Sequence, residues 1–453
     1  MMKYLSLILF IFAQNALSSE EFPAGSGTTS DFSVQAFSHP MSGTSSKDRR
    51  DFTVGNSFFQ TTWVSSPAST PLRDGLGPNF NAVSCTSCHF KDGRGRGLPD
   101  TDGKTDMSLL LRLRVKGENN TTTLHPNYGG QFNPFGVAGV PGEGESHVYF
   151  ETITGEFQDG EKYELKKPIY YFKNLNFGEM GENTILSPRV GPQMIGLGLL
   201  ENINESDILA NADEQAKSGD GISGRVNRVY SLVTGPFAIG RFGWKAGKAS
   251  LLEQNAAAYN GDIGITSYLF PDEECTYVQT DCQRFKTPDD ISPELLEKVT
   301  TYTKLLAVPK RRDFGTPQVF RGEKVFKAIN CIACHTASYT TGNNSNLDVL
   351  NNQKIYPYTD LLVHDMGDDL ADDKGNHINE EGATTREWRT PPLWGLGLVK
   401  IVNTHTRLMH DGRARNFSEA ILWHGGEGQK SKEAYLKLSK ADRDSLIEFL
   451  GSL

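Results

Sequence analysis

The chain has 453 residues, of which 37% are apolar and 22% charged, with a formal net charge of −9. That length is too great for one ordinary domain, and the composition is that of a water-soluble globular protein, not a disordered one. The acidic balance argues against a nucleic-acid binder and suits cationic partners.

The chain opens on a processing segment. Lys3 precedes the apolar run Tyr4 to Ala13, and Ala16 and Ser18 supply small residues for a signal peptidase, so cleavage is expected near Ser18. The run is too short to cross a bilayer, which takes about 20 residues, and no later run approaches that length. No cysteine lies near the cleavage point to carry a lipid. The mature chain is therefore expected to be exported, periplasmic or secreted, with no transmembrane segment. Residues 19–50 are rich in Ser, Gly and Thr without periodicity and read as a flexible arm. Phe58, Phe59 and Trp63 follow, as cofactor wall or plain core.

Cys85, Cys88 and His89 form the pattern Cys-x-x-Cys-His, and Cys331, Cys334 and His335 repeat it. This is the attachment signature of a c-type haem: each thiol can add to a vinyl group, and the histidine becomes the proximal iron ligand. Two covalently bound haems are expected. They account for four of the six cysteines. Cys275 and Cys282, close in sequence in an exported chain, read as a disulfide. After His89, the run 91–97 carries three glycines, Arg94 and Arg96, and reads either as a loop reaching haem propionates or as a solvated basic loop.

Met107 to Val115, His147 to Ile153 and Tyr163 to Phe172 have strand character, and Asp159-Gly160 is a hairpin signal between the last two. They predict a β-rich insertion in the first haem domain. A helix is expected from Ser206 to Lys217, with Ser206 as N-cap. The turn 219–225 reads as an ordinary tight turn or a calcium loop; it falls short of the full calcium pattern. Helices are expected after Ser292-Pro293, over Val319 to Phe326, over Phe417 to His424, and from Ser439, where Asp442 completes a capping box.

Arg189 to Leu199 and Arg389 to Leu398 match in arginine, proline and a Gly-Leu-Gly-Leu end, each between a haem motif and a terminal helix. The repeat predicts a mainly α protein of two cytochrome c-like domains, 51–310 and 311–453, the first enlarged by the β-rich insertion. The second half alone continues into a helix ending at His424, placed to ligate the iron opposite His335. In the first half the nearest ionisable residue is Glu201, and Met194, His125 or His147 would be needed to close the iron. An open iron binds peroxide or oxygen, whereas a closed one moves electrons.

His410 to Arg413, with His424 downstream, resembles the C-terminal haem domain of bacterial dihaem cytochrome c peroxidases and of tryptophylquinone-forming dihaem enzymes. Residues 85–97, 194–203, 219–227, 241–245, 275–282, 358–367, 386–398 and 408–426 are together closer to the dihaem oxidoreductases of peroxidase type, sometimes labelled thiol oxidoreductases. The resemblance implies a C-terminal relay haem and an N-terminal reactive haem. It implies an enzyme that takes electrons from a small redox protein, a cytochrome or cupredoxin, and reduces hydrogen peroxide. Those peroxidases usually carry methionine, and the quinone-forming enzymes tyrosine, where this chain has His424. The Trp-Asp-Gly element that precedes the peroxidases' distal glutamate is absent, so Glu201 is either an acid–base group or a salt-bridged structural residue. His364, His410 and Arg413 are expected at haem edges or in hydrogen bonds to ligands, and Trp394 and Trp423 as electron relays or as core. The rival readings are oxidation of a protein or small molecule, a pure electron-transfer cytochrome, and a structural zinc module on the Cys-x-x-Cys pairs. The trailing histidines and the exported location speak against zinc.

Overall fold

The computed structural model describes residues 20–285 and 290–453; the expected leader, 1–18, lies outside them. Helix makes up 31% of the chain and strand 20%, so the fold is mixed α and β and not mainly α as expected. The strands belong to small antiparallel sheets of two or three members.

The arm expected to be flexible over 19–50 is packed. Ala24, Ala36, Phe37 and Met41 are fully buried, and the Met41 N–H donates to Leu305 O at 2.9 Å. Its anchors are single apolar residues without a period, so only tertiary contact reveals them. The arm leads into helix Ser46–Gln60, where the Ser45 side chain accepts from the Asp48 N–H. That helix buries Phe52, Gly55, Phe58 and Phe59.

Two helix pairs repeat one construction. Helix Ser46–Gln60 packs on Pro293–Leu305 so closely that a Cβ on Gly55 would lie 2.1 Å from Lys298 O. Helix Pro317–Ala328 packs on Lys440–Ser452, where a Cβ on Gly322 would lie 1.9 Å from Ser445 O. The caps foreseen at Ser292 and Ser439 form, each side chain accepting from the N–H three residues on. The matched segments interlock as well. Gly196 and Gly395 both take the left-handed conformation, at φ +70° and +72°. A Cβ on Gly196 would meet the Trp394 ring at 2.3 Å, and one on Gly395 would meet Ile195 at 2.5 Å.

Strand Leu109–Lys116 alternates as its sequence predicts, with Leu109, Leu111 and Leu113 buried, and pairs with Thr184–Val190. Strands Glu145–Glu156 and Lys162–Lys173 form the hairpin expected around Asp159-Gly160. This hairpin rests on the C-terminal half: Tyr170 donates to Asp411 at 3.1 Å, and Arg443 pairs with Asp159 at 2.8 Å. Helix Glu205–Ser218 begins earlier than expected, with Asn204 as N-cap. The two main cores each take side chains from both halves, Trp394 and Leu398 joining Phe52 and Tyr302, and Leu109 to Leu113 joining Phe326 and Phe449.

Candidate functional site

The Cys85–Ser87 and Cys331–Ala333 turns present their motifs to one continuous cavity lined by Cys85, Cys88, His89, Cys331, Cys334, His335 and His424. His89 Nδ1 donates to Pro192 O at 2.7 Å, His335 Nδ1 to Tyr358 O at 3.0 Å, and His424 Nδ1 to Ala420 O at 2.7 Å. A carbonyl only accepts, so Nδ1 carries the proton and Nε2 keeps its lone pair, the form a metal takes. Burial holds His89 and His424 below the usual imidazole range. It lowers His335 to about 4, with nearby His424 adding to the effect. All three are thus neutral at neutral pH. Phe59 and Phe326 occupy equivalent places beside His89 and His335, with ring centroids 6.2 and 6.1 Å away.

Burial pushes the Cys85 and Cys331 thiols up to about 12 and raises Cys88 and Cys334. Such thiols stay protonated, which does not suit a cation that takes thiolates. Among the described residues Cys85, Cys88 and Cys331 join no convergent group of potential metal ligands, and Cys334 meets Asp360 and His364 without its partner Cys331.

Three buried guanidiniums on the cavity wall have no carboxylate partner among the described residues. Arg94 donates to Arg407 O at 2.9 Å and to Met409 O. Arg241 donates to the carbonyls of Leu200, Glu201 and Ile203. Arg389 donates to Gly243 O at 2.9 Å and Thr390 O at 3.1 Å. Burial pushes Arg94 and Arg389 down to about 10, so they remain charged. Carboxylates act on the three only from a distance, Asp411 on Arg94, Glu205 and Glu201 on Arg241 and Asp360 on Arg389. A buried cation without a contacting counter-charge is costly, so this wall suits anions. Paired thiols, neutral imidazoles, apolar walls and guanidiniums without an ion-pair partner fit haem, whose propionates would supply anionic charge.

Of the other expected residues, His364 is held by Asp360 at 2.9 Å and Glu427 at 2.7 Å, with Nδ1 3.7 Å from Cys334 Sγ. His410 lines the cavity, stacked on Trp388. Arg413 pairs with Asp411 at 2.9 Å and lies over Trp423, away from the lining. Trp394 and Trp423 are buried but do not line the cavity; Trp244 and Trp388 do.

Glu201 does not reach the cavity. It accepts from the Leu251 N–H at 2.7 Å and pairs with Lys304 at 2.7 Å, the salt-bridged structural role. His125 and His147 are also remote, bonded to Met180 O and Glu145, whereas Met194 lines the cavity. The turn 219–225 gathers no cation ligand set. Asp220 accepts from Ser218, Ile222 and Asn330, and Lys430 caps its carbonyl. Of the two readings of 219–225, the ordinary turn is the one these hydrogen bonds support. Cys275 and Cys282 are disulfide-bonded.

Arg241, Trp244, Lys245, Trp388 and the carbonyls of Pro192 and Tyr358 received no role from sequence. Arg389 was signalled by its match to Arg189 in the repeat and by its place in the resembling stretch 386–398.

No curated protein matches the chain. Among solved structures it is similar to a hydrazine synthase of Kuenenia stuttgartiensis, at 13% identity over 92% of this chain and 93% of that one, with a TM-score of 0.32. The model of a family described as "Di-haem oxidoreductase, putative peroxidase" matches residues 21–453, and the chain belongs to that family.

Proposed function

We propose that the chain is an exported c-type dihaem oxidoreductase that reduces hydrogen peroxide with electrons from a small redox protein. Cys85 and Cys88 would hold one haem and Cys331 and Cys334 the other, with His89, His335 and His424 as iron ligands. Bound haem supplies one-electron chemistry at iron. The reaction consumes peroxide, two electrons and two protons and yields two waters. The observation that carries the reading is an asymmetry of imidazoles. His335 and His424 are neutral, orientated and close enough to influence each other, whereas the influences on His89 are burial and the backbone of Pro192 and Gly93, with no imidazole among them.

The chain's own residues do the positioning. Pro192 and Tyr358 fix the ring planes of His89 and His335. Arg94, Arg241 and Arg389 would hold anionic edges, and Trp244, Leu251 and Ile263 keep the wall apolar. Export is supported by the Cys275–Cys282 disulfide. Met194 on the lining favours a second reading, a pure electron carrier with both irons closed.

Optical and EPR spectra of the oxidised, haem-loaded protein separate the two. One high-spin and one low-spin haem, with the high-spin signal consumed by peroxide, is the expected result. Two low-spin haems indifferent to peroxide would establish the carrier. His424→Ala should convert the low-spin haem to high spin, and an unchanged spectrum would remove its ligand role.

A further inference from the structure

A buried column on the wall between the two motifs is unused by the steps above. The Trp388 indole stacks on the His410 imidazole, with centroids 3.7 Å apart and planes 11° from parallel. Lys245 Nζ stands 3.7 Å from the centroid of the same indole. The ammonium is locked in place. It is fully buried, donates to Thr384 O at 2.9 Å and Glu387 O at 2.8 Å, and pairs with Asp372 at 3.1 Å.

The column touches both motif regions. Trp388 sits in strand Glu387–Arg389, in register with His364, whose Nδ1 is 3.7 Å from Cys334 Sγ. On the other side the Val190 N–H donates to His410 O at 2.7 Å. Two residues after Val190, Pro192 O holds His89. Trp388 and His410 both line the cavity.

An indole is among the side chains most easily stripped of an electron. Two features of this one oppose that. A cation over the ring face stabilises the neutral indole and repels the positive charge that oxidation would create. The Nε1–H donates to Leu370 O at 2.8 Å; a carbonyl is no base, so an oxidised ring could not relax by releasing its proton. Trp63 offers the contrast. It is buried, it stands edge-on to Tyr259 of the cavity wall at 5.6 Å, and no cation lies over it among the described residues.

We infer that Trp388 is a redox-inert spacer between the two haem sites, and that Lys245 is the positioning residue that keeps it so. The inference rests on the peroxidase reading. Each transfer moves one electron from the C-terminal to the N-terminal site with no bond made or broken at Trp388, which begins and ends as a neutral indole. Two such transfers, with two protons, would reduce one hydrogen peroxide to two waters by cleaving its O–O bond.

The test treats the haem-loaded protein with excess hydrogen peroxide and no donor, followed by peptide mapping and EPR. In the natural protein Trp63 should gain oxygen while Trp388 stays intact. Lys245→Met with Asp372→Asn removes both buried charges together, so that neither is stranded. In that double variant Trp388 should gain oxygen and a tryptophan-radical signal should appear. Oxidation of Trp388 ahead of Trp63 in the natural protein, or an intact Trp388 in the variant, would overturn the inference. Should the double variant fail to load haem, Trp388→Phe decides. Electron transfer between the two sites, followed by stopped-flow, should persist at the natural rate, and its loss would overturn the spacer role. A natural protein whose spectrum ignores peroxide refutes the peroxidase reading itself, and this inference with it.

Discussion

The same device serves His89, His335 and His424: burial strips the charge, and one carbonyl fixes which nitrogen faces the cavity. The accepting carbonyls come from different elements, Pro192 from the repeated segment and Tyr358 from a loop ahead of strand Val363–Asp365. The motif names the histidine, but the partner of its Nδ1 is set by packing. Glu201 shows the converse. Its position after the repeat suggested chemistry, yet both of its oxygens are occupied, by the Leu251 N–H and Lys304. Glu201→Gln should leave the peroxide response unchanged in stopped-flow. It should lower the urea midpoint by the equivalent of about 0.5–1 kcal/mol, the scale of a partly exposed ion pair.

At the scale of elements, close helix contact decides where the motifs stand. Gly55 and Gly322 lie where backbone meets backbone, on the helices that deliver Phe59 and Phe326 to the histidines. Alanine would gain about 1 kcal/mol of helix propensity at either site. Its methyl would have to displace a carbonyl 2.1 or 1.9 Å away, and overpacking of this kind costs about 1–3 kcal/mol. Backbone cannot swing aside as a flexible side chain can, so the clash wins. Gly55→Ala and Gly322→Ala should each destabilise the protein by up to about 2 kcal/mol in denaturant titrations. Helix Ser46–Gln60 was not legible in sequence because its core face is three phenylalanines and a glycine among charged and polar residues. The β hairpin was legible because alternation and an Asp-Gly turn agreed.

Over the whole molecule the halves are joined by more than a linker. Arg94 and Arg407 clasp the loops of opposite halves through Met409 O, Arg407 O and Pro99 O. A Cβ on Gly97 would lie 2.9 Å from Asp411 O, and one on Gly412 would lie 2.6 Å from Arg96 O. Global stability should also respond to pH through Glu143, a buried carboxyl that accepts from the Asn133 N–H and Gln279 at 2.5 Å. Burial pushes it up to about 8 from an ordinary 4.5. Below the ordinary value both states hold the proton. Between the two values the unfolded chain releases it while the folded one keeps it, so stability falls as pH rises. The slope from this group is at most about 1.4 kcal/mol per pH unit and vanishes above about 8. Glu143→Gln should flatten that decline in thermal melts between about pH 5 and 8.

The sequence by itself determined the two Cys-x-x-Cys-His motifs, the duplication behind them, the capped helices and the long hairpin. Each is encoded in residues near one another in the chain, where spacing, period and turn chemistry act locally. Tertiary structure alone decided that the N-terminal arm packs and that the fold is mixed rather than mainly α. It also decided that Glu201 is structural and that Trp388, not Trp394 or Trp423, stands at the cavity wall. These depend on which distant side chains and carbonyls meet after folding, and burial and charge pairing are properties of that meeting.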